Sequence, residues 1–343
     1  MKNPIKILII RFSSFGDIIQ NLTAVDHLSH KYPEAEIHWI TREDFAELVG
    51  THPDLKKVWS FKRQSGLKGL IQLAKRLQSE NFTHIYDSHS NVRSHILSWI
   101  LRYSRTKKNG HFIRRSKQRF KRWLLFYWHW NLFSWPYYGA QSYIWPLKKW
   151  GIQWNSKLPR TLQLPKLKEE TKNILKWAPS ESWVLAPSAA WEMKRWPVTH
   201  WQNLIIQLPH HRFFVLGGVQ DHFCKQLEQV APNRVQNLAG LLSWLESGRL
   251  VSQCRGLVSG DTGVLHLGDY TGCPTWAIIG PTAFGFPSWP NSHAISVDLP
   301  CRPCSKDGRG KCRLKKQPKK CLLDISPEKV ASEINRKTSL LRN

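Results

Sequence analysis

The feature that most constrains the fold of this chain is the alternation of short apolar runs with longer helical stretches. The first apolar run, residues 5–10, has the composition of a buried strand, and a polar turn separates it from a predicted helix over 17–30. This alternation predicts a parallel sheet covered by helices on both faces. The same pattern predicts further strands over 36–41 and 84–87, and further helices over 67–78 and from about residue 93 onward.

The alternation begins again in the second half of the chain. Proline- and lysine-containing residues 158–172 predict a linker between the halves. A chain of 343 residues has room for about two domains. We therefore predict two doubly wound α/β domains, over 1–160 and 161–343, with a last helix that can pack back on the first domain. The apolar runs that predict the strands of the second domain are 183–186, 213–216, 256–259 and 275–279.

Charge is the second constraint, because the formal net charge of the chain is +27. Such an excess predicts a polyanionic partner: nucleic acid, an acidic membrane surface or a phosphorylated substrate. The sequence has no zinc-finger spacing, no RNA-recognition signature and no basic zipper, so a nucleic-acid partner is not predicted. The first apolar run stops at Arg11 and is too short for the core of a secretory signal, which favours a cytoplasmic location.

A basic stretch over 107–122 precedes an uncharged stretch over 123–147 that is rich in Trp, Tyr and Phe. Aromatic rings beside cations are typical of surfaces at the headgroup level of a membrane, which predicts peripheral docking on the inner-membrane surface. Polar residues and prolines interrupt the apolar run and argue against a spanning helix. A competing interpretation places these rings in the core of the first domain or along a cleft, beside a solvated basic face.

Two polar turns of the first domain follow predicted strands. In Arg-Phe-Ser-Ser-Phe-Gly-Asp, over 11–17, Asp17 lies at the start of a helix, where the helix dipole keeps a carboxylate ionised and able to take a proton from a sugar hydroxyl. An ordinary helix cap formed by Ser14 or Asp17 is the alternative. After the strand over 84–87, Arg93 is placed to contact an anionic acceptor, and capping by Asn91 explains the same turn equally well.

The second domain has three turns of the same kind. Ser-Gly-Asp-Thr-Gly, over 259–263, follows an apolar run and leads into a helix that carries His266; glycines and a helix start suit a diphosphate, although an N-cap at Asp261 or Thr262 explains the turn too. Lys194 follows another strand and could neutralise a departing diphosphate, or be a surface lysine. Gly217-Gly218 with Asp221 is a weaker nucleotide-binding candidate.

Cysteines are concentrated near the C-terminus. Cys301 and Cys304 have the spacing of a ligand pair, and together with Cys312 and Cys321 they could make a tetrahedral zinc site. Reduced thiols, or a disulfide formed after isolation, are the favoured alternatives. The histidines show no metal-ligand spacing, and no paired aspartates predict a catalytic metal.

Together these motifs resemble the lipopolysaccharide heptosyltransferases, glycosyltransferase family 9. The match rests on Arg-Phe-Ser-Ser-Phe-Gly-Asp over 11–17, Lys-Arg-Trp-Pro over 194–197 and Ser-Gly-Asp-Thr-Gly-Val-Leu-His over 259–266, whose order covers nearly the whole chain. Gly-Pro-Thr over 280–282 and the pair Cys301 and Cys304 also fit the family. The basic cysteine loop and the heavy aromatic stretch depart from common members and leave the acceptor open.

The resemblance implies a GT-B fold, in which two Rossmann-like domains face a central cleft. It also implies inverting transfer of heptose from ADP-L-glycero-D-manno-heptose to the anionic lipopolysaccharide core, with no obligatory metal or cofactor. Asp17 would be the general base and Lys194 would bind the donor phosphates. The other residues expected on the donor side are Ser188, Asp221, Asp261, Thr262, Gly263 and His266, and those expected on the acceptor side are Ser14, Gly16 and Arg93.

Two alternatives to this function stay open. One is a GT-B transferase that uses another nucleotide sugar, because phosphate-binding residues do not specify the sugar. The other is a basic lipid- or nucleic-acid-binding protein without catalysis, against which the presence of Asp17 and Lys194 argues. The sequence does not specify an oligomeric state.

Overall fold

The computed structural model describes residues 4–103 and 111–340 and divides the chain into two compact units. Unit 1 comprises Met1–Arg119 and Ala140–Gln163, and unit 2 comprises Phe120–Gly139 and Leu164–Asn343. The segment Phe120–Gly139 is therefore grouped with unit 2 although the chain on both sides of it belongs to unit 1. The division at Gln163 and Leu164 lies close to the domain boundary predicted at residue 160.

Unit 1 is built on a five-stranded sheet in the order β3-β2-β1-β4-β5, with all neighbouring strands parallel. In this order β1 and β4 are neighbours at the point where the direction of winding reverses, which is where ligands bind in open α/β sheets. The strands are β1 Lys6–Ile10, β2 Glu36–Arg42, β3 Leu55–Phe61, β4 His84–Asp87 and β5 His111–Arg114. The helices of unit 1 are α1 Phe15–Lys31, α2 Glu43–Gly50, α3 Gly66–Gln78, α4 Val92–Tyr103 and α6 Gln141–Ile144. Between α4 and α6 the chain forms the short helix α5 Arg119–Trp123, in which all residues but Arg119 belong to unit 2.

The apolar pattern of the sequence explains the first β-α unit. Four of the five residues of β1 are buried between flanking strands, as expected for an inner strand of a parallel sheet. In α1 the apolar positions recur at helical spacing, and Ile18, Leu22 and Val25 are completely buried. The helix begins directly after Ser14, so the turn between β1 and α1 holds Asp17 at the carboxyl end of the sheet.

Unit 2 has a six-stranded parallel sheet in the order β11-β10-β9-β6-β7-β8. Its winding reverses between β6 and β9, so the loops that follow these two strands lie at one edge of the sheet. The strands are β6 Ser182–Ala186, β7 Arg212–Val215, β8 Val235–Asn237, β9 Gly256–Gly260, β10 Thr275–Ile278 and β11 Ser292–Ile295. The helices are α7 Glu169–Ile174, α8 Val198–Gln207, α9 Cys224–Val230, α10 Trp244–Gln253, α11 Gly263–Thr271, α12 Lys320–Leu323 and α13 Pro327–Leu340.

The core of unit 2 is formed by buried tryptophans of the sheet and its helices. Trp183 of β6 and Trp276 of β10 lie 5.1 Å apart between ring centroids, and Trp196 contacts Trp201 at 5.0 Å. Trp196 also donates a hydrogen bond of 2.9 Å to the backbone oxygen of Ile325. The C-terminal helix α13 packs against α8 in this same unit. These contacts fix the loop that carries Lys194, two residues before Trp196.

The aromatic stretch predicted over 123–147 is divided between the two units. Tyr143, Ile144 and Leu147 are buried in unit 1, as the core interpretation expected. Residues 124–128 form a π-helical turn of unit 2, and several neighbouring rings are exposed, which the core interpretation did not expect. Over the residues that the structure describes, no helix is both long enough and apolar enough to cross a bilayer.

Candidate functional site

Asp17 lies in the first turn of α1, and both of its carboxylate oxygens accept hydrogen bonds. Oδ2 lies 2.7 Å from a guanidinium nitrogen of Arg11 and 2.7 Å from the donating hydroxyl of Ser14. Oδ1 accepts a hydrogen bond of 2.8 Å from the hydroxyl of Tyr143. The Asp17 side chain is nevertheless 42% exposed, whereas that of Arg11 is 7% exposed. Two buried donors, Arg11 and Tyr143, and the exposed Ser14 therefore orient a carboxylate that is open to solvent on one side.

Opposing effects act on the pKa of Asp17. Burial raises it, but the charge of Arg11, the hydrogen bonds from Ser14 and Tyr143, and the charge of Arg115 together lower it further. The pKa of Asp17 is consequently far below its ordinary value. Asp17, which the sequence suggested as a general base, is thus ionised at neutral pH. The contact between Ser14 and Asp17 at the helix start, which was the alternative interpretation, is present as well.

A second carboxylate, Asp87 at the end of β4, is completely buried and fixes the turn that follows. Its Oδ2 lies 2.7 Å from Nε of Arg114, at the end of the neighbouring strand β5. Its Oδ1 accepts hydrogen bonds from the backbone N–H groups of His89 and Ser90 at 3.1 and 2.9 Å. Asp87 therefore stabilises the β4–α4 turn, which lies beside the β1–α1 turn because β1 and β4 are neighbouring strands.

Arg93, predicted on the acceptor side, lies in the first turn of α4 and is exposed. The alternative role of Asn91 as a helix cap is also observed, because Ser94 donates its N–H to Asn91 Oδ1 at 2.9 Å and its hydroxyl accepts the Asn91 N–H at 2.9 Å. The two interpretations of this turn are therefore compatible. Asn91 caps the helix, and Arg93 presents its charge to solvent.

His89 lies in the same turn, and its pKa reflects the charge that surrounds it. Burial lowers this pKa most, and the charges of Arg11, Lys117 and Arg93 lower it further against the opposing charge of Asp17, to about 3. His89 is therefore a neutral imidazole at neutral pH and lacks the acidic proton of an imidazolium. Arg11 acts on both His89 and Asp17, and the positive charge of Arg11, Lys117 and Arg93 near this turn suits an anionic ligand.

In unit 2, Lys194 and Asp261 form an ion pair of 3.0 Å between side chains that are 16% and 11% exposed. Lys194 lies in the loop after β6, and Asp261 directly follows β9, so the reversal of winding brings them together. His266 Nε2 lies 3.8 Å from the other oxygen of Asp261. Burial raises the pKa of Asp261, but the charges of Lys194 and His266 and contacts with Thr282 and Lys194 lower it more.

Two glycines pack tightly against this ion pair. A Cβ atom on Gly285 would lie 2.1 Å from the carboxyl carbon of Asp261, and one on Gly308 would lie 2.5 Å from Cγ of Lys194. Gly308 also has a φ of +88°, which disfavours any other residue. Backbone from two separate loops therefore confines Lys194 and Asp261, a constraint that the sequence motifs did not indicate.

The start of α11 lies beside Asp261 and provides donors for an anion. Thr262 is the residue before the helix, Gly263 is its first residue, and the hydroxyl of Thr262 lies 3.2 Å from that of Ser259. The first N–H groups of a helix have no partner within the helix, and its dipole is positive at this end. With Lys194, they form an edge suited to a diphosphate.

Ser188 and Asp221 lie near the neighbouring strand end of β7. The Ser188 hydroxyl lies beside Gly217, where an added Cβ would come within 3.0 Å of it. Asp221 Oδ2 accepts a hydrogen bond of 2.7 Å from the N–H of Gly218, and its Oδ1 lies 3.4 Å from the guanidinium of Arg195. Asp221 therefore stabilises the turn after β7, one strand away from the Lys194–Asp261 pair.

The four C-terminal cysteines are free thiols. Burial, and then the neighbouring Cys301 and Cys312, raise the pKa of Cys304; burial raises the pKa of Cys321 to about 12 against the opposing charge of Arg302. Within residues 4–103 and 111–340, no three His, Cys, Asp or Glu side chains are grouped so as to hold a metal ion.

This fold and these sites define a class of protein, the glycosyltransferases built from two doubly wound domains. The model of the family described as glycosyltransferase family 9 (heptosyltransferase) matches residues 70–317, more than half of the chain. The protein belongs to glycosyltransferase family 9. This confirms the resemblance inferred from the motifs.

Individual relatives agree with the family match. The chain is 23% identical to lipopolysaccharide heptosyltransferase 1 of Pseudomonas aeruginosa over 370 residues, which cover 96% of this chain and 97% of that one. It is 28% identical to lipooligosaccharide heptosyltransferase 2 of Campylobacter jejuni over 52% of this chain and 57% of that one. Both relatives are named as heptosyltransferases.

Solved structures show the same fold. A family 9 glycosyltransferase from Veillonella parvula has a TM-score of 0.73 at 17% identity and covers 100% of this chain and 99% of its own. ADP-heptose lipopolysaccharide heptosyltransferase II of Escherichia coli has a TM-score of 0.70 at 19% identity, with 99% of this chain and 100% of its own covered. The predicted fold class, GT-B with two doubly wound α/β domains, is confirmed.

Proposed function

We propose that this protein transfers heptose from ADP-L-glycero-D-manno-heptose to the anionic inner core of lipopolysaccharide. Family membership and the named activities of its relatives support this substrate pair. The observation that carries the proposal is the presence, in one chain, of an ionised and oriented Asp17 in unit 1 and of Lys194 beside the start of α11 in unit 2. The first suits removal of a proton from a hydroxyl, and the second suits a diphosphate.

On the donor side, the diphosphate binds to Lys194, whose ammonium group Asp261 holds in position. The hydroxyl of Thr262 and the N–H groups at Gly263 donate hydrogen bonds to the phosphate oxygens, with His266 and Asp261 beside them. Negative charge grows on these oxygens as the bond to the sugar breaks, and donors fixed in advance stabilise it. Ser188 and Asp221, at the next strand ends, lie toward the nucleoside. Because Lys194 and the helix start supply this positive charge, we propose that the transfer requires no metal.

On the acceptor side, a hydroxyl oxygen attacks the anomeric carbon of heptose while its proton passes to Asp17. The new carbon–oxygen bond forms as the bond to phosphate breaks, ADP leaves, and this single displacement inverts the anomeric configuration. A carboxylate of such low pKa is a weak base, so the proton moves only when the attacking hydroxyl has become acidic. Ser14 and Gly16 line the acceptor side of this turn, and Arg93 and Lys117 attract its anionic groups.

The first experiment measures ADP release from ADP-heptose with a heptose-deficient lipopolysaccharide acceptor. Wild-type protein is expected to release ADP only when acceptor is present, and Asp17→Asn should lower the rate by about 10² to 10⁴-fold. Binding of ADP by Asp17→Asn, measured by calorimetry, should equal that of wild type, because Asp17 lies in unit 1. Unchanged turnover would remove Asp17 from the base role.

The same assay distinguishes the donor. Transfer of a sugar from another nucleotide sugar, together with no transfer from ADP-heptose, would replace the proposed donor and keep the roles of Asp17 and Lys194.

Since the acceptor is anchored in the inner membrane, we also propose that the protein works in the cytoplasm at the inner face of that membrane. A fractionation experiment in which the protein is absent from membranes of cells that make the acceptor would contradict this location.

A further inference from the structure

The segment Phe120–Gly139, here called the aromatic segment, exposes an unusual set of side chains. Large aromatic residues in a folded protein ordinarily bury most of their surface. Contiguous exposure of several such rings marks an interaction surface. The exposed fractions are 69% for Phe120, 50% for Trp123, 70% for Tyr127, 54% for Trp128 and 65% for Trp130.

These rings are held in place from beneath. Leu124 and Leu125 are buried, and the ring of Phe284 lies 6.0 Å from that of Phe126 and 4.8 Å from that of Tyr137. The N–H of Gly139 donates a hydrogen bond of 3.4 Å to the backbone oxygen of Phe286. The aromatic segment is therefore anchored to the loop after β10 on one side and presents its exposed rings on the other.

Positive charge lies beside the exposed rings. Lys121 is exposed within the aromatic segment, and no Asp or Glu occurs in the sequence between Asp87 and Glu169. Arg313, from the distant cysteine loop, contacts the side chain of His129 and the backbone oxygen of Phe126. This contact brings the basic loop, residues 311–316, to the edge of the aromatic segment, with Lys315 and Lys316 exposed.

We propose that the aromatic segment and the basic loop form the surface by which this protein docks on an anionic lipid bilayer. Exposed Trp and Tyr side chains favour the headgroup level of a membrane, and neighbouring lysines favour anionic lipids. A second copy of the chain is a poorer partner, because a symmetric contact places the same lysines opposite one another. The choice of partner rests on the proposed function, since a lipopolysaccharide acceptor lies in a membrane.

The surface also has a structural link to the donor side. Phe284 and Phe286, which anchor the aromatic segment, flank Gly285, and Gly285 packs directly against the carboxylate of Asp261. A shift of the aromatic segment therefore moves the loop after β10, and this loop contacts Asp261, the ion-pair partner of Lys194. Docking accordingly places the donor-binding edge at a fixed distance from the lipid surface.

Cosedimentation of the full chain with vesicles tests this surface without either substrate. Wild type is expected to bind vesicles of phosphatidylcholine with phosphatidylglycerol and to bind pure phosphatidylcholine much less. Trp128→Ser/Trp130→Ser should weaken binding to the anionic vesicles by about tenfold, and Lys315→Gln/Lys316→Gln by about fivefold for each charge removed. Trp99→Ser is the matched control, because Trp99 is a 67% exposed tryptophan of α4 in unit 1.

Equal binding of anionic vesicles by wild type and both double variants would overturn the proposal. So would a wild type that is dimeric in sedimentation velocity, together with a Trp128→Ser/Trp130→Ser variant that is monomeric and still binds vesicles normally. Thermal unfolding of each variant checks that the fold is intact. Failure of heptose transfer would leave the vesicle result unaffected, so the two proposals fail separately. If both hold, the tryptophan variant loses transfer to vesicle-embedded acceptor more than transfer to a delipidated, water-soluble acceptor.

Discussion

Tyr143 donates a hydrogen bond of 2.8 Å to Asp17 across 126 residues of sequence. The ring of Tyr143 is buried, and the guanidinium of Arg115 lies 4.2 Å from its centroid. Burial raises the pKa of Tyr143, so its hydroxyl stays protonated and always donates. Tyr143 therefore fixes the orientation of Asp17 and leaves the outer side of the carboxylate available to an acceptor hydroxyl.

Tyr143→Phe removes this hydrogen bond and little else, because the ring stays in place. We expect the variant to lose about 1 kcal/mol of unfolding free energy, the usual net value of one hydrogen bond. Turnover should fall by about tenfold, because Asp17 gains freedom to rotate out of line with the acceptor hydroxyl. The measurement is kcat and KM for the acceptor, with Tyr127→Phe, an exposed tyrosine of unit 2, as control. A drop in stability with unchanged kcat would make Tyr143 merely structural.

Arg11→Gln tests the charge that keeps Asp17 ionised. Since the folded pKa of Asp17 is below the ordinary 3.8, the ionised form stabilises the fold above about pH 4, and this stabilisation is lost as pH falls through the lowered pKa. Removing Arg11 removes the largest contribution to this pH-dependent stabilisation of the fold. The difference in unfolding free energy between wild type and Arg11→Gln should therefore be largest near neutral pH and shrink on acidification.

The same substitution should change the pH dependence of turnover. Without Arg11, the largest influence that lowers the pKa of Asp17 is gone and this pKa rises, so the acidic limb of kcat against pH moves upward. Denaturant titrations from about pH 2 to pH 8 measure the effect on stability, and initial rates from about pH 4 to pH 8 measure the effect on turnover. A stability difference that does not vary with pH would show that Arg11 acts on the fold and not on the ionisation of Asp17.

The inner strands of both sheets could be predicted from the sequence, and the edge strands could not. Inner strands are buried on both faces and form continuous apolar runs, as β1, β4, β6 and β9 do. The unpredicted strands β3, β5, β8 and β11 are the four edge strands. In β3 and β5 exposed positions interrupt the apolar pattern, and β8 has only three residues. Neighbours in space, rather than local composition, make these segments strands.

Within the candidate sites, sequence motifs identified residues near strand ends but not the side chains that act on them. Asp17, Lys194 and Asp261 could be chosen because each follows an apolar run and glycine- or serine-rich turns. Tyr143 could not, since its position beside Asp17 depends on the packing of α6 against α1. Gly285 likewise has no local signature, because its closeness to Asp261 comes from two separate loops.

Lys194→Met removes the charge proposed to bind the donor and leaves Asp261 without its 3.0 Å ion-pair partner. A charged hydrogen bond is worth about 1.5 to 3 kcal/mol, so the Kd for ADP should rise by about 10 to 100-fold. Asp261→Asn in the same background should cost little more, because the partner it would lose is already absent. Calorimetry of the two single variants and the double variant measures this coupling. Strictly additive losses would show that the two residues act independently.

Gly285→Ala tests how closely the loop after β10 controls the donor side. The added Cβ would lie 2.1 Å from the carboxyl carbon of Asp261, a distance that real Cβ atoms do not reach, so the loop or the carboxylate must move. Because Asp261 is the partner of Lys194, we expect the Kd for ADP to rise by about tenfold or more, the effect of a misplaced charge contact. Gly50→Ala, where an added Cβ has no neighbour within 4 Å, is the control. ADP binding by Gly285→Ala equal to that of the control would mean that Asp261 can move without disturbing the donor, and would also remove the structural link between the aromatic segment and the donor-binding edge.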